Sequence, residues 1–398
     1  MGSRTATLLL LALGGILLGS VVAYSRVYAP NPHCGEDRSF LPERGRRASS
    51  PGRRYPEAAP PLCARNRHGE TEAVGRVIAA HWFVEAAGIT WHFVTAGGQP
   101  RGAAAGAGAR DFPQPAPVVL LHGFPESWWA FHHQIEALAE AGYEAIAIDV
   151  IPYGQSDKQL DLDYRYPAIA AGVLKLLNRI GIDRFHLVAH DRGSVIADHL
   201  IAQPGAAARV VRYVRMQQSA NRPHGEPRPP HRLMGSPAGT LLYRSRRFPA
   251  LVYGGRLAAL PIPSGDLRRL DYEFKYRGIA EAAPLSFRTT SFDQELVDRL
   301  EGLFAHMAMP VLFVQGRLDP GQHPEEYFRV EQAVADGRLQ FVEAGHFLHL
   351  EAPGAVNQAI LAFLDEETRR PPPAHDSMGA STTAAGLEPA SPGSPDGP

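Results

Sequence analysis

The sequence predicts an α/β protein: a mostly parallel central sheet flanked by helices, with a helical cap inserted late in the chain. Three observations carry this. Short apolar runs alternate with amphipathic segments between residues 81 and 364, as expected of strands buried on both faces and helices packed over them. Polar motifs follow directly on the ends of several of these runs, at the carboxyl edge where parallel sheets hold their ligands. Residues 219–300 break the alternation; they are rich in Arg, Pro and Tyr and too long for a simple loop.

Taken in order, strands are expected at residues 81–84 and 89–95, then a Gly/Ala-rich loop to residue 117. Val118-Val119-Leu120-Leu121 is a buried strand. A helix over 127–141 is closed by Gly142. Strand 145–150, helix 166–179, strand 185–189, helix 192–202 and strand 210–216 follow. After the interruption come strand 311–315, a helix near 325–335, strand 339–342 and a last helix over 356–364. The expected core is thus residues 79–218 and 301–368, and the cap is 219–300. Residues 31–78 and 369–398 are rich in Arg, Pro, Ser and Gly without apolar periodicity and read as a disordered linker and tail.

Residues 1–30 contain an apolar run, LLLLALGGILLGSVVAY at 8–24, at the short end of the ~17–25 residues that span a bilayer. Arg4 stands alone before it, whereas Arg26, Arg38, Arg44, Arg46 and Arg47 follow. Positive flanks stay cytoplasmic, so the expectation is a single-pass N-terminal membrane anchor with the α/β core on the cytoplasmic side. Export after signal-peptide cleavage behind Val21-Val22-Ala23 is the alternative. The net charge of −1 argues against a nucleic-acid partner. Cys34 and Cys63, the two cysteines, lie upstream of the core, which argues against a disulfide scaffold or a thiolate metal site; a pairing between them is expected only if the segment is exported. Oligomeric state is not legible.

The strongest motif is Leu187-Val188-Ala189-His190-Asp191-Arg192-Gly193-Ser194, a strand passing into a helix through a small residue, Asp and Gly. This is the form of a nucleophile elbow, with Asp191 where Ser is more usual. The helix N-terminus favours its ionised form. Read alone, Asp191 is also an acceptable helix N-cap. His122-Gly123-Phe124-Pro125-Glu126-Ser127 follows the buried strand; the backbone N–H groups of Phe124 and Arg192 are the expected oxyanion hole. Asp319 and His346 stand just past the two late strands, in the order nucleophile, acid, histidine. His349 ranks second as the histidine.

On these motifs the chain resembles the α/β-hydrolase superfamily, in its epoxide hydrolase and haloacid or haloalkane dehalogenase branch; His-Gly-Phe-Pro-Glu-Ser-Trp, Ala-His-Asp-Arg-Gly and Gly-His-Phe are typical of it. The resemblance implies a cap domain, no cofactor, no metal, and a small hydrophobic substrate. It implies attack by Asp191 at carbon to give an alkyl-enzyme ester, then hydrolysis by water that His346 activates and Asp319 supports. Epoxide hydrolases commonly place one acidic tyrosine of the cap in a Tyr-Arg pair; the matching place holds Phe287-Arg288. Tyr243, Tyr253, Tyr272 and Tyr276 are the remaining leaving-group candidates, with Tyr272 and Tyr276 spaced to share a helix face. Haloalkane dehalogenases carry Trp where this chain has Arg192, and haloacetate enzymes add a second Arg where it has Val195. Epoxide hydrolysis ranks first and haloacid dehalogenation second, with a membrane-tethered binding module as the reading from another class. Trp128 is a pocket candidate or core packing. His132 and His133, adjacent on a helix, are expected to face apart and bind no metal. The Pro152-Tyr153-Gly154-Gln155-Ser156-Asp157 turn is expected to be structural.

Overall fold

A computed structural model describes residues 70–98, 115–218, 229–245, 248–254, 257–276, 278–289, 302–327 and 329–369. The apolar run at 8–24, both cysteines and the tail beyond 369 lie outside them. Among the described residues no helix is long and apolar enough to cross a membrane.

Nine strands form one sheet: β1 (Thr71–Val74), β2 (Val77–Ala86), β3 (Ile89–Gly97), β4 (Val118–Leu121), β5 (Glu144–Ile148), β6 (Phe185–His190), β7 (Val210–Met216), β8 (Val311–Gly316) and β9 (Gly337–Val342). Their spatial order is β1-β2-β3-β5-β4-β6-β7-β8-β9. The first three strands run antiparallel, and β3 meets β5 antiparallel. From β5 across to β9 every pair is parallel. The central strands are continuous apolar runs because both faces are covered. Val119, Leu121, Ile146, Leu187 and Ala189 pack into one hydrophobic layer, and Val118, Leu120, Ala145, Val188 and Val214 into the other.

The core helices are α1 (His132–Glu140), α2 (Tyr166–Arg179) and α3 (Arg192–Ile201), with α9 (Leu348–Glu351) and α10 (Pro353–Arg369) at the end. Between β7 and β8 lie α4 (Pro229–Gly235), α5 (Pro237–Arg244), α6 (Phe248–Tyr253), α7 (Ser264–Glu273) and α8 (Ile279–Arg288). Their aromatic side chains pack against Phe124 and Tyr153 of the core, so the insertion lies over the carboxyl edge of the sheet.

Two expectations are corrected. The linker expected over 31–78 does not extend that far, because Thr71–Val74 pairs with β2. The helix expected near 325–335 is two 3-10 turns, Pro324–Tyr327 and Val330–Ala333; Arg329 between them adopts φ 65°, which a continuous α-helix cannot accommodate.

Candidate active site

Asp191 is the hinge residue between β6 and α3. Its backbone has φ 49° and ψ −121°, a conformation that costs an L-residue on the order of 1–3 kcal/mol and persists only where the surroundings enforce it. The enforcement is steric. A Cβ on Gly193 would lie 2.1 Å from the Leu121 carbonyl oxygen, and one on Gly123 would lie 2.5 Å from the Asp191 Cβ. The Asp191 side chain makes no capping hydrogen bond to α3, which excludes the N-cap reading. It turns to the β4 loop, where the Phe124 N–H donates to Oδ1 at 3.0 Å. Ser194 is committed elsewhere, its hydroxyl donating to the Met216 carbonyl.

Asp319 and His346 arrive from the ends of β8 and β9. His346 Nδ1 is 2.8 Å from Asp319 Oδ2, and its Nε2 is 3.5 Å from Asp191 Oδ2. Asp319 also accepts from the Gly321 N–H at 2.6 Å and from the Gln217 side chain at 2.5 Å. One imidazole is thus gripped between two carboxylates. Burial would lower the His346 pKa, but Asp319 and Asp191 outweigh it and carry it to about 10. Burial would likewise raise Asp191; the contact and charge of His346, then His190 and the Phe124 N–H, bring it to about 2. Asp319 is lowered in the same way, burial being outweighed by His346. The resting site is therefore carboxylate, imidazolium, carboxylate.

Arg192 opens α3, where a backbone N–H points out of the helix end, beside the Phe124 loop. Its side chain turns into the insertion: the guanidinium lies 3.8 Å over the Phe287 ring and donates to Ser286 Oγ at 3.2 Å. Phe287 thus serves as the face on which a buried cation stacks. The Phe124 ring sits in an aromatic box, with Phe287 at 4.9 Å, Tyr153 at 5.8 Å, Tyr243 at 5.9 Å and Phe248 at 6.0 Å between centroids. With Phe274 and Ile279 these rings form one buried apolar cluster between the core and the insertion.

The tyrosine candidates separate. The Tyr243 hydroxyl is buried with no hydrogen-bond partner among the described residues. Burial, then Tyr153, pushes its pKa well up, with Arg192 opposing. Tyr253 donates to the Pro125 carbonyl at 3.0 Å and packs on Phe347, so its proton is occupied. Tyr272 and Tyr276 meet edge to face at 5.8 Å within the same aromatic cluster. Trp128 does not line the site; it is wholly buried in the layer of Val118, Phe131 and Ile135, because the 3-10 turn Trp128–Phe131 directs it under the sheet. His349 also leaves the site, its Nε2 lying 3.1 Å from Glu126 Oε1.

Four contributors were not read from the sequence. Tyr153 stands in the aromatic box; burial raises its pKa, opposed by Arg192 and Ser286. Gln217, at φ 43°, holds Asp319 and accepts from the Gly316 N–H. Glu351 accepts from the amides of Gly345 and Phe347 on either side of His346, and from Ala259 and Leu260 in the insertion. His190 Nε2 donates to the His346 carbonyl at 2.9 Å while its Nδ1 faces Glu126 Oε2 at 3.0 Å. A carbonyl only accepts, so a proton must also lie between Nδ1 and the carboxylate. Gln217 carried one signal, a polar residue directly past a strand at the carboxyl edge. The others depend on contacts that no local spacing announces.

Among the described residues two groups of side chains come close enough to share an ion: Glu126, His190 and His349, and His132, His133 and Asp266. In the first, His190 Nδ1 meets Glu126 Oε2 at 3.0 Å, while Glu126 Oε1 and both ring nitrogens of His349 make no hydrogen bond among the described residues. The second contradicts the expectation that His132 and His133 face apart: their ring centroids are 3.8 Å apart. Both residues open α1, and long side chains there lean back towards the helix N-terminus.

The profile of the family described as "alpha/beta hydrolase fold" matches residues 116–353. AB hydrolase superfamily protein YfhM of Bacillus subtilis is 28% identical over 312 residues, covering 72% of this chain and 98% of that protein. Epoxide hydrolase A of Mycobacterium tuberculosis is 28% identical over 294 residues, covering 63% of this chain and 90% of that protein. The crystal structure of an epoxide hydrolase from Vigna radiata superposes with a TM-score of 0.56 at 22% identity, over 72% of this chain and 98% of that one. With an aspartate at the elbow and a histidine between two carboxylates, the chain is an enzyme that belongs to the alpha/beta hydrolase fold family.

Proposed function

We propose that the protein is an epoxide hydrolase that works through an alkyl-enzyme ester on Asp191. One observation carries the reading: Asp191 Oδ1 is tied to the Phe124 N–H while Oδ2 faces His346 backed by Asp319. A serine attacking a saturated carbon would leave an ether that water cannot readily cleave; a carboxylate leaves an ester. Oδ2 attacks an epoxide carbon, the carbon–oxygen bond breaks, and the alkoxide takes a proton from Tyr243 or Tyr153. The phenolate so formed is stabilised by the Arg192 cation, which opposes the burial of both tyrosines. Esterification removes one of the two charges that hold the His346 proton. That proton returns to the phenolate, and the freed Nε2 is then the base for water. Water adds to the ester carbonyl against the Phe124 and Arg192 amides, and collapse releases the diol and Asp191. The helical insertion acts as the cap of this site.

A haloacid is the second reading, favoured by the buried Arg192 guanidinium beside the nucleophile. One experiment tests both. His346→Ala is incubated with aryl and alkyl epoxides and with 2-haloacids, and the Asp191 peptide is weighed by mass spectrometry. An epoxide adds its whole mass; a haloacid adds its mass less the hydrogen halide. No adduct with any compound, from a variant that melts as a folded protein, overturns the covalent reading.

A further inference from the structure

A second constellation lies where the insertion meets the core, away from the ion triad. His132 and His133 open α1, and Asp266 sits in the first turn of α7. His132 Nε2 is 3.2 Å from Asp266 Oδ1 and His133 Nε2 is 3.6 Å from Oδ2. These ligand atoms all lie within 4.8 Å of one another.

Proton placement makes the arrangement informative. His132 Nδ1 lies 2.8 Å from the Trp129 carbonyl, which can only accept, so that nitrogen carries the hydrogen. In the neutral ring Nε2 then presents a lone pair towards a carboxylate. His133 Nε2 is buried with no hydrogen-bond partner among the described residues. Two imidazole nitrogens and one carboxylate therefore converge on a point that calls for positive charge. A tetrahedral ion with ligand bonds of about 2.0–2.1 Å sets its ligand atoms roughly 3.3 Å apart, and the 3.2 Å between His132 Nε2 and Asp266 Oδ1 matches such an edge. The Nδ1–H to backbone carbonyl contact orients a metal-binding histidine in the usual way. His132 is further fixed flat against the Trp129 indole at 4.5 Å and 2°. The His133 and Asp266 side chains keep 28% and 15% of their surface in contact with solvent, enough for an ion and a water ligand to enter.

We propose that His132, His133 and Asp266 bind one divalent transition-metal ion of the Zn2+ class, through both Nε2 atoms and the carboxylate, pinning α7 of the insertion to α1 of the core. The fourth position is taken by water. The ion performs no chemistry on the substrate; it fixes the insertion over the sheet.

The test uses the full chain, stripped with chelator and dialysed metal-free. Titration with Co2+ is expected to give visible d–d bands of a tetrahedral site, saturating at one equivalent, and Zn2+ is expected to displace it. Zn2+ is expected to raise the melting temperature of the wild type. In His133→Ala and Asp266→Asn, Co2+ binding is expected to weaken at least about tenfold and the Zn2+-dependent rise to vanish. The metal-free melting of each variant reports whether it folds. Wild type without Co2+ bands or a Zn2+-dependent rise overturns the proposal. So do folded variants that bind Co2+ as tightly as wild type, since the ion would then sit elsewhere. None of these readouts depends on the substrate.

Discussion

At the scale of the residue, His346 is the titrating centre of the site, and the sign of its effect on stability follows from its neighbours. Its pKa rises from 6.5 to about 10 on folding because two carboxylates outweigh its burial. A raised pKa contributes stability that is whole below 6.5 and is lost as pH climbs through about 10. Asp191 falls from 3.8 to about 2, so its contribution is present above 3.8 and disappears as pH drops through about 2. The ion triad thus stabilises most between these windows, at mildly acidic pH. Asp319→Asn is expected to melt below wild type at pH 6, with the gap narrowing steadily towards pH 10. Calorimetry of the two proteins across that range decides it; a constant gap would mean that His346 is neutral at rest. Gly193 gives a second prediction at this scale. In Gly193→Ala the new methyl would meet backbone alone, the Leu121 carbonyl oxygen at 2.1 Å and the His122 carbonyl oxygen at 2.6 Å. Backbone cannot swing aside as a side chain can, so the elbow must deform. A loss of more than about 1 kcal/mol in urea unfolding and near-complete loss of alkylation at residue 191 are expected.

At the scale of the element, the elbow depends on how α3 is fastened to β7. Arg215 of β7 grips Asp198 of α3 through Nε and Nη2 at 3.0–3.2 Å, and the Tyr213 hydroxyl donates to the same carboxylate at 3.0 Å. Both charges are fully buried. Removing one partner strands the other, which costs about 3–5 kcal/mol. Asp198→Ala is expected to lose that much in urea unfolding, whereas an exposed pair such as Arg317 with Glu343 should cost less than about 1 kcal/mol when broken. Equal losses from the two would contradict this ranking. The same distinction separates what the sequence disclosed from what it did not. Strands β4, β6 and β7 and helix α2 were legible because burial on both faces, or on one stripe, writes itself as apolar runs. The Asp191, Asp319 and His346 sites were legible because each follows such a run at the carboxyl edge of the sheet. Tyr153, Gln217 and Glu351 were not, since their roles arise from contacts between distant segments. The 3-10 turns near residue 329 were hidden by a left-handed arginine that no composition marks.

At the scale of the whole molecule, the chain's first described strand and its insertion depend on each other. β1 is four residues of mixed polarity, and nothing in TEAV separates it in composition from the sequence before it. Its Glu72 reaches across to Arg269 of α7, which donates to it at 3.1 Å and to Glu273 at 2.6 Å while lying 4.7 Å over the Trp129 ring. All three charged groups are buried. Arg269 therefore holds two carboxylates that would otherwise repel in a dry interface, and the strand is ordered in part by a cation supplied almost two hundred residues later. Arg269→Met keeps the bulk and removes the charge. It is expected to cost about 3–5 kcal/mol and to speed amide exchange in both Thr71–Val74 and Ser264–Glu273, while β6 and β7 keep their protection. Adding Glu72→Gln should recover part of the loss, because one of the stranded charges is gone. Exchange that quickens in α7 alone would show that β1 is held by its pairing with β2 rather than by the insertion.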